Sequence, residues 1–307
     1  MPSVGAAGIL GVALEAVSGT YLAPTTFIPF DSESMKWTQE NVERRPIRNS
    51  PALLGMIKGP GHVEGDITFD CTPDLLIYFL YAARMSVVKT GSGPYNYVCT
   101  PTAVAVPTKT MSVTIKRGSE VSGYAGCVVS KLNLKIEDGA FKATVSLLGV
   151  SEATQTNPTP TWPTSTVFGA GFYTWEIPTG TPVTDTDKWE FEVDDSAEAQ
   201  NRITNSIAAQ FIAFKENKCS SKVERDFETR AEFDQFKNVT SKSLTMTAST
   251  GANNSVAILT PVSFINSYEY NLGGQGDLLR ASVEYAHAVN AAGNNYTITL
   301  NTTTNIT

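Results

Sequence analysis

The sequence contains very little of the chemistry that most enzymes use. It has two histidines, His62 and His287, which lie in different halves of the chain. Neither accompanies a serine and an acid in a recognisable nucleophile set, and no G-x-S-x-G sequence occurs. No H-E-x-x-H sequence and no paired Cys/His spacing indicates a metal site. We therefore predict a protein that is not an enzyme and that binds neither a cofactor nor a metal ion.

Cysteines and long apolar runs are also scarce. No apolar stretch approaches the ~20 residues of a membrane-spanning helix. The apolar stretch from Val4 to Val17 is interrupted by Glu15 and precedes the first basic residue, Lys36, which argues against a signal peptide. We therefore expect no membrane partner, and synthesis in a cytoplasm. The cysteines lack C-x-x-C spacing, which favours buried free thiols over a disulfide framework; they are Cys71, Cys99, Cys127 and Cys219.

Charged residues make up only 17% of the chain, and their distribution is uneven. The formal net charge is −7. Lys and Arg number 13 against 12 Asp and Glu in residues 1–150, and 10 against 18 in residues 151–307. The second half therefore carries nearly all of the excess negative charge. Tight binding of nucleic acid is disfavoured, because it depends on Lys and Arg neutralising phosphates.

Two sequence patterns of the first half recur in the second half in the same order. One is a short acidic strand that runs into a helix, with Val63–Phe79 matched by Val223–Phe236. The other is an alternating strand, with Asp138–Leu147 matched by Gly276–Tyr285. In the second pair the alternation of buried and exposed faces is kept. This repetition indicates a duplicated domain.

Composition and length predict the fold class. Thr, Ser, Asn and Val are abundant, which favours strands and turns, and 307 residues exceed what one core usually fills. We predict a mainly β protein of two tandem, similar antiparallel β-sandwich or barrel domains, each with one flanking α-helix. The predicted domains are residues 1–150 and 167–307, joined by a Pro- and Thr-rich linker at 151–166. The predicted helices are Pro73–Arg84 and Arg230–Phe236.

Turn signals and alternation place individual strands. Asp138–Gly139 predicts a hairpin between strands Ala125–Ile136 and Phe141–Leu148. In the second half, separate strands are predicted at Val256–Val262 and Tyr268–Leu272.

A long polar excursion occupies residues 31–62 and is flanked by predicted strands. A connection of this length is either a long hairpin or an arm. Its mixture of charged and apolar side chains suits a protein–protein interface, and the neighbouring acids favour an ion-pair strip over a nucleic-acid contact for its arginines. The corresponding excursion of the second half, between Asp194 and Phe211, is predicted to be shorter. The predicted contact residues are Glu40, Glu43, Arg44, Arg45, Arg48, Leu53, Leu54, Met56 and Ile57.

The acidic residues of the second half cluster between positions 185 and 198. They lack the D-x-[DN]-x-[DN]-G calcium loop, and Glu190 and Glu192 alternate on a predicted strand. We interpret the cluster as a solvated or cavity-facing acidic surface rather than a calcium site. Its members are Asp185, Asp187, Glu190, Glu192, Asp194, Asp195 and Glu198.

Several short motifs carry a family resemblance through their order and spacing. Together they resemble the tail tube proteins (major tail proteins) of long-tailed bacteriophages, of the type with two duplicated domains. The resemblance covers residues 8–85 and extends, through the repeated strand pattern, to residue 286. The motifs are Gly11-Val12-Ala13-Leu14-Glu15, Gly19-Thr20-Tyr21, Ala23-Pro24-Thr25, Phe27-Ile28-Pro29-Phe30-Asp31-Ser32-Glu33-Ser34-Met35, then Glu43, Arg45, Gly65-Asp66-Ile67-Thr68-Phe69 and the helix Pro73–Ala83.

The resemblance implies a β-sandwich with one flanking helix in each half and sheets that join into a β-lined ring. It also implies a long loop that reaches the adjacent ring, and residues 33–60 match that loop by position. We accordingly expect a structural virion protein whose stacked rings form the hollow tail tube through which DNA passes during ejection. An acidic lumen would repel DNA, and the lumen-facing candidates are Glu190, Glu192 and Asp194.

The expected partners are further copies of the chain, together with tape-measure, tail terminator and tail tip proteins. Since each copy supplies two similar domains, trimeric rings with pseudo-sixfold symmetry are expected. DNA would pass transiently and without specific binding, and the protein would be made in the host cytoplasm and reside in the virion. Two other classes stay open: a secreted or surface β-sandwich adhesin or carbohydrate-binding module, and another tail- or capsid-associated structural protein.

Overall fold

The computed structural model describes residues 8–47, 52–202, 206–227, 230–271 and 279–306. Within these ranges the chain is mainly β, with antiparallel strand pairs and two short helices, which confirms the predicted fold class. The first half contains β1 (Ile9–Leu14), β2 (Thr26–Phe27), β3 (Ser32–Glu33), β4 (Lys36–Gln39), β5 (Val42–Arg44), β6 (Gly55–Ile57), β7 (Gly61–Asp70), α1 (Pro73–Tyr81), β8 (Met85–Thr90), β9 (Tyr95–Pro101), β10 (Met111–Arg117), β11 (Glu120–Glu137), β12 (Ala140–Gly149) and β13 (Ser151–Thr154). The second half contains β14 (Tyr173–Glu176), β15 (Pro182–Val183), β16 (Thr186–Asp194), β17 (Glu198–Gln200), β18 (Phe211–Ala213), β19 (Lys218–Asp226), α2 (Ala231–Lys237), β20 (Lys242–Gly251), β21 (Asn254–Asn271), β22 (Arg280–Ala288) and β23 (Thr297–Thr302).

Eight strands form a central antiparallel sheet. Their order is β4–β7–β12–β11–β16–β19–β22–β21, and β3 extends the β4 edge along β7. Four strands come from each half of the chain. The halves join where residues 131–136 of β11 pair with residues 189–194 of β16. The sheet therefore runs across the boundary that the sequence suggested, and the division into two domains stays a prediction.

The two halves repeat one strand order. Strands β4, β7, β12, β11 and β10 are successive neighbours in the first half, as β16, β19, β22, β21 and β20 are in the second. A helix follows β7 in the first half and β19 in the second. The two longest strands, β11 and β21, each contain a bulge where they pair with β12 and β22. That the halves arose by duplication stays a prediction.

Further strands pack over the apolar side of the central sheet. The N-terminal part of β11 pairs with β10 and β13, and the N-terminal part of β21 pairs with β20 and β23. Strand β23 of the second half also pairs with β9 of the first. One cluster of buried side chains includes residues of both halves, among them Phe69, Leu134, Phe191 and Tyr285. Each such side chain contributes about 1.5–3 kcal/mol on burial, so this shared cluster holds the halves together.

Alternation along β12 shows why these residues form sheet. Phe141, Ala143, Val145 and Leu147 are buried, and the residues between them are partly exposed. A shift of one residue would turn the apolar set to solvent, so the pairing register is strongly specified. The predicted match of this segment with residues 279–285 agrees with the pairing, because Leu147 and Tyr285 both lie opposite the residue before a bulge.

The predicted match of Val63 with Val223 is wrong by four residues. The strand pairing shows that Gly65 corresponds to Ser221. Gly65 pairs with Leu147 and Ser221 pairs with Tyr285, and each of these partners lies opposite the residue before a bulge. Val223 therefore corresponds to Ile67. A pattern with a period of two residues looks the same after a shift of four, which explains the error.

Helix α1 begins at Pro73, as predicted, and ends at Tyr81 rather than Arg84. It ends earlier because pairing of β8 with β9 starts at Met85. Thr72 occupies the N-cap position, but its hydroxyl makes no capping hydrogen bond. No described helix is long and apolar enough to cross a membrane.

Three other expectations are corrected. The first residues of the predicted linker, Ser151–Thr154, form a strand paired with β11. The two strands predicted between Val256 and Leu272 are one strand, β21, whose bulge interrupts the alternation on which the prediction relied. The excursion after Asp194 is not shorter than that of the first half, because the chain returns to the sheet only at Lys218.

Candidate functional site

The face of the central sheet that points away from the core carries mostly polar side chains. Because side chains alternate along a strand, the paired residues of all eight strands contribute to this face in rows. Among the described residues that pair with a neighbouring strand, it holds eleven acidic and eight basic side chains, an excess of three negative charges. The acidic residues are Glu64, Asp66, Asp70, Glu137, Glu190, Glu192, Asp194, Glu224, Asp226, Glu269 and Glu284, and the basic residues are Lys36, Lys131, Lys135, Lys142, Lys188, Lys218, Lys222 and Arg280.

Ion pairs cross the junction of the two halves on this polar face. Lys131 Nζ lies 2.9 Å from Glu192 Oε2, and Lys188 Nζ lies 3.1 Å from Glu137 Oε1. Hydrogen bonds from Lys135 and Lys188 lower the pKa of Glu137 from its ordinary value. On the core face of the same junction, buried apolar side chains of β11 and β16 pack against each other. The junction therefore combines charge pairing on one face with apolar packing on the other.

The three predicted lumen residues lie together on the polar face. Glu190, Glu192 and Asp194 occupy alternate positions of β16, and each is half-buried. Glu190 accepts a hydrogen bond from Asn133 Nδ2, and Asp194 Oδ1 accepts one from the backbone N–H of Ser196 at 2.7 Å. Lys131 of the neighbouring strand β11 pairs with Glu192 and balances part of the acidic charge, which the sequence alone did not indicate. That this face lines a channel stays a prediction.

The other acidic residues of the 185–198 cluster do not join this set. Three of them make separate ion pairs, and Asp195 is buried. No group of three or more His, Cys, Asp or Glu side chains in the described ranges is placed to hold a metal ion. The cluster is therefore several local contacts rather than one site. The ion pairs are Asp185–Arg225, Asp187–Arg280 and Glu198–Lys215.

Asp195 is a buried carboxyl group just beyond the end of β16. It is 3% exposed, and its Oδ1 accepts a hydrogen bond from Asn217 Nδ2 at 2.7 Å. Its backbone N–H donates to the carbonyl oxygen of Ser130 at 2.9 Å, which continues the junction of the halves by one residue pair. Burial raises the pKa of Asp195 to about 6, although the hydrogen bond from Asn217 and the charge of Arg84 oppose this.

The predicted arm is a β-hairpin that extends from the central sheet. Its strands β5 and β6 pair from Val42 opposite Ile57 to Arg44 opposite Gly55. Strands β3 and β4, which the sequence analysis placed in the excursion, belong to the sheet. The hairpin leaves the sheet just beyond β4, where the backbone N–H of Glu40 donates to the carbonyl oxygen of Pro60 at 3.1 Å.

The predicted contact residues on this hairpin are exposed, which suits an interface. Met56 and Ile57 are 59% and 50% exposed, and Glu43 Oε2 accepts from Arg45 Nε at 2.8 Å. Exposed apolar side chains beside charged ones are typical of a surface that becomes buried on association. Arg48 lies outside the described residues. The remaining predicted residues on this exposed segment are Glu40, Arg44, Leu53 and Leu54.

A second hairpin, whose strand pairing the sequence did not indicate, extends from β16 and β19. Strands β17 and β18 pair from Glu198 opposite Ala213 to Gln200 opposite Phe211. The hairpin lies between β16 and β19 in the chain, as β5–β6 lies between β4 and β7. It is fixed to the first half, because Ile212 and Phe214 pack against Val128 and the N–H of Gly61 donates to the Ile207 carbonyl oxygen at 2.7 Å. The short apolar run at residues 211–214 was the available signal.

His287 is the centre of a buried hydrogen-bonded group. Its Nδ1 lies 2.8 Å from Ser263 Oγ and its Nε2 lies 2.9 Å from Ser221 Oγ. Burial lowers the pKa of His287 to about 3, so the imidazole is neutral at physiological pH. The three residues are on β22, β21 and β19. The group therefore links three strands of the sheet inside the protein.

Comparison with known proteins agrees with the resemblance noted in the sequence. A search of curated proteins found no match. The family described as phage tail tube protein matches residues 5–294. That range covers every strand from β1 to β22, both helices and both hairpins. The chain therefore belongs to the phage tail tube protein family.

Proposed function

We propose that this chain polymerises into stacked rings that form the hollow tail tube, through which DNA passes during ejection. The family match supports a structural tail tube protein, and membership implies self-assembly into a tube within the virion. The observation that carries the proposal is the central sheet, in which two units with one strand order join edge to edge. A sheet built in this way can be continued by further copies at its two outer edges.

The proposed ring contains three chains. Each chain supplies two units with the same strand order, so three chains supply six and the ring has pseudo-sixfold symmetry. The junction between β11 and β16 would then be one of six related junctions around the ring.

The polar face of the central sheet lines the proposed channel. Its excess of negative charge repels DNA phosphates, and lysines such as Lys131 and Lys188 are already paired with carboxylates. At physiological ionic strength this repulsion is screened over ~8 Å, so it acts on DNA near the wall. Glu190, Glu192 and Asp194 are the proposed lumen-facing residues in the second half. A wall of this kind lets DNA pass without holding it.

The β5–β6 hairpin makes the proposed contact with the adjacent ring. Its exposed apolar residues, including Met56 and Ile57, become buried there, and its charged residues form ion pairs at the rim. Arg48 belongs to the proposed set although it lies outside the described residues. Tape-measure, tail terminator and tail tip proteins are the proposed partners, and synthesis takes place in the host cytoplasm.

Negative-stain electron microscopy of the purified full chain tests this function. The expected result is long hollow tubes with a regular axial repeat. Monomers that bind carbohydrate would instead indicate a surface adhesin, and short capped rings would indicate another tail- or capsid-associated protein. Either of these results would contradict the proposal.

A further inference from the structure

The central sheet ends in two edges that have no partner strand within the described residues. At one end β4 pairs only with β7. At the other end residues 264–271 of β21 pair only with β22. Open edges of this kind offer unpaired backbone N–H and C=O groups to another chain. The two edges lie at opposite ends of the sheet, so the β21 edge of one copy can meet the β4 edge of the next copy.

The internal junction provides a template for such a meeting. Strand β11 occupies in the first half the position that β21 occupies in the second, and β16 occupies the position of β4. The pairing of β11 with β16 is therefore the same kind of contact as a pairing of β21 with the β4 of another copy. This relationship rests on hydrogen-bonded strand order and does not depend on sequence similarity.

The bulges define which residues of β11 and β21 correspond. Val129 and Ile265 each precede the bulge, so Leu132 corresponds to Tyr268, three residues further along each strand. Leu132 and Tyr268 both face the core side of the sheet.

The neighbouring strands give the same correspondence for β4 and β16. In the first half Leu147 lies opposite both Val129 and Gly65, its partners on the two neighbouring strands. In the second half Tyr285 lies opposite both Ile265 and Ser221 in the same way. Two residues before Gly65, Val63 pairs with Trp37; two residues before Ser221, Cys219 pairs with Val193. Trp37 therefore corresponds to Val193.

We infer that a second copy of this chain docks its β21 end against β4, in the register that joins β11 to β16. In the internal junction Leu132 lies opposite Val193, so Tyr268 of one copy lies opposite Trp37 of the next. The adjacent pairs are Ser267 opposite Thr38 and Glu269 opposite Lys36. This inference rests on the proposed function and assigns the residues that close its ring.

The chemistry of the two edges is complementary in this register. Glu269 and Lys36 are opposite charges on the polar face, where Lys131 and Glu192 pair across the internal junction at 2.9 Å. Trp37 and Tyr268 are both partly buried against the core, so their rings extend the apolar side of the junction. Directly opposed charges and aromatic pairs are the cross-strand contacts that stabilise antiparallel sheets.

Backbone hydrogen bonds follow the same correspondence. In the internal junction the N–H of Asp195 donates to the carbonyl oxygen of Ser130 at 2.9 Å. The matching bond between copies runs from the N–H of Gln39 to the carbonyl oxygen of Asn266. Trp37 and Tyr268, two residues further along, then form a pair that exchanges both backbone hydrogen bonds.

The pairing ends at Lys36 for a local reason. The carbonyl oxygen of Met35 already accepts hydrogen bonds from Arg117 Nη2 at 2.6 Å and from Tyr124 OH at 3.2 Å. Arg117 is held there by Glu33, whose Oε1 accepts from its Nε at 2.7 Å. The junction between copies is therefore shorter than the internal one.

Disulfide cross-linking tests the register. Ser267 and Thr38 would form a non-hydrogen-bonded pair, with Cα atoms about 4.5 Å apart, which a disulfide can bridge. The native cysteines are all buried and do not compete. Oxidised tubes of the double variant Thr38→Cys with Ser267→Cys should give closed covalent trimers on a non-reducing gel. The shifted control, Thr38→Cys with Glu269→Cys, should give at least tenfold less covalent trimer.

A charge exchange gives a second readout. Lys36→Glu and Glu269→Lys should each reduce tube yield at low salt, and the double variant should restore it. Tubes of the Thr38→Cys, Ser267→Cys variant that form normally without a cross-link, or that cross-link less than the shifted control, would overturn the register. The register would also be overturned if the single charge variants fold but the double charge variant does not restore their tube yield. Failure of the wild-type chain to form tubes would instead contradict the proposed function itself.

Discussion

Glu15 Oε1 lies 2.8 Å from the backbone nitrogen of Gly126 and accepts its hydrogen bond inside the protein. The same buried carboxylate accepts hydrogen bonds from Thr110 Oγ1, Ser112 Oγ and the N–H of Gly19. Gly126 has a φ of +66°, and a Cβ there would lie 2.8 Å from Val150 Cγ2. The acid that interrupts the first apolar stretch of the sequence therefore joins β1, β10 and β11.

Glu15→Ala should destabilise the chain by about 3 kcal/mol or more, because it leaves several buried donors without an acceptor. Urea unfolding followed by circular dichroism measures the free energy of unfolding. Glu120→Ala is the matched control, since Glu120 is exposed at the first position of β11 and its loss should cost within about 0.5 kcal/mol. Equal stability of the two variants would show that the Glu15 hydrogen bonds contribute nothing.

Asp195→Asn should stabilise the chain at pH 7. The pKa of Asp195 is raised from 3.8 to about 6 by burial, so the folded state favours the protonated form. Its contribution to stability is fully present below pH 3.8 and is lost as pH rises through 6. Asparagine is neutral at every pH and can still accept from Asn217, so the gain at pH 7 is up to about 3 kcal/mol.

The difference between wild type and Asp195→Asn should disappear at pH 3.5, which thermal or urea unfolding at both pH values can measure. A variant that is less stable than wild type at pH 7 would show that the charged carboxylate is stabilising.

Removal of the β5–β6 hairpin should leave a folded subunit that cannot elongate into tubes. The deletion spans residues 42–57 and retains the hydrogen bond between Glu40 and Pro60 at the point where the hairpin leaves the sheet. Circular dichroism checks the fold, and electron microscopy measures tube length. Tubes of normal length from the deleted chain would exclude the hairpin as the connection between rings.

Two glycines of this arm offer a matched comparison. A Cβ on Gly59 would lie 1.6 Å from the carbonyl oxygen of Glu40, whereas a Cβ on Gly55 has no heavy atom within 4 Å. Gly59→Ala must shift the base of the hairpin and should shorten the tubes; Gly55→Ala should not. Tubes of equal length from both variants would mean that the direction of the hairpin does not matter.

Glu190→Lys combined with Asp194→Lys should slow DNA ejection from assembled particles. The change places two cations on the polar face where phosphates pass, and it spares Glu192, which pairs with Lys131 across the junction. The delay should lessen at high salt, because screening weakens the attraction. Glu120→Lys, on the part of β11 that pairs with β10, is the control. Unchanged ejection from intact tubes would place the channel wall elsewhere.

The fold class was predictable because alternation is a local property of the sequence. In β12 the apolar residues Phe141 to Leu147 recur at every second position, and the Asp138–Gly139 turn marks where the strand begins. The junction of β11 with β16 was not predictable, since strands far apart in sequence pair through shape and register that no short pattern contains. For the same reason the acidic run was visible, but the pairing of Glu192 with Lys131 was not.

Cryo-electron microscopy of assembled tubes would show the ring and its sheet junctions directly. Each ring should contain three chains and six similar sheet junctions around a continuous wall. In three of these junctions β11 pairs with β16 of the same chain, and in the other three Tyr268 lies opposite Trp37 of the next chain. The polar face that carries Glu190 and Glu192 should line the channel. A ring of six chains, or a wall whose channel side is the opposite face of the sheet, would contradict this arrangement.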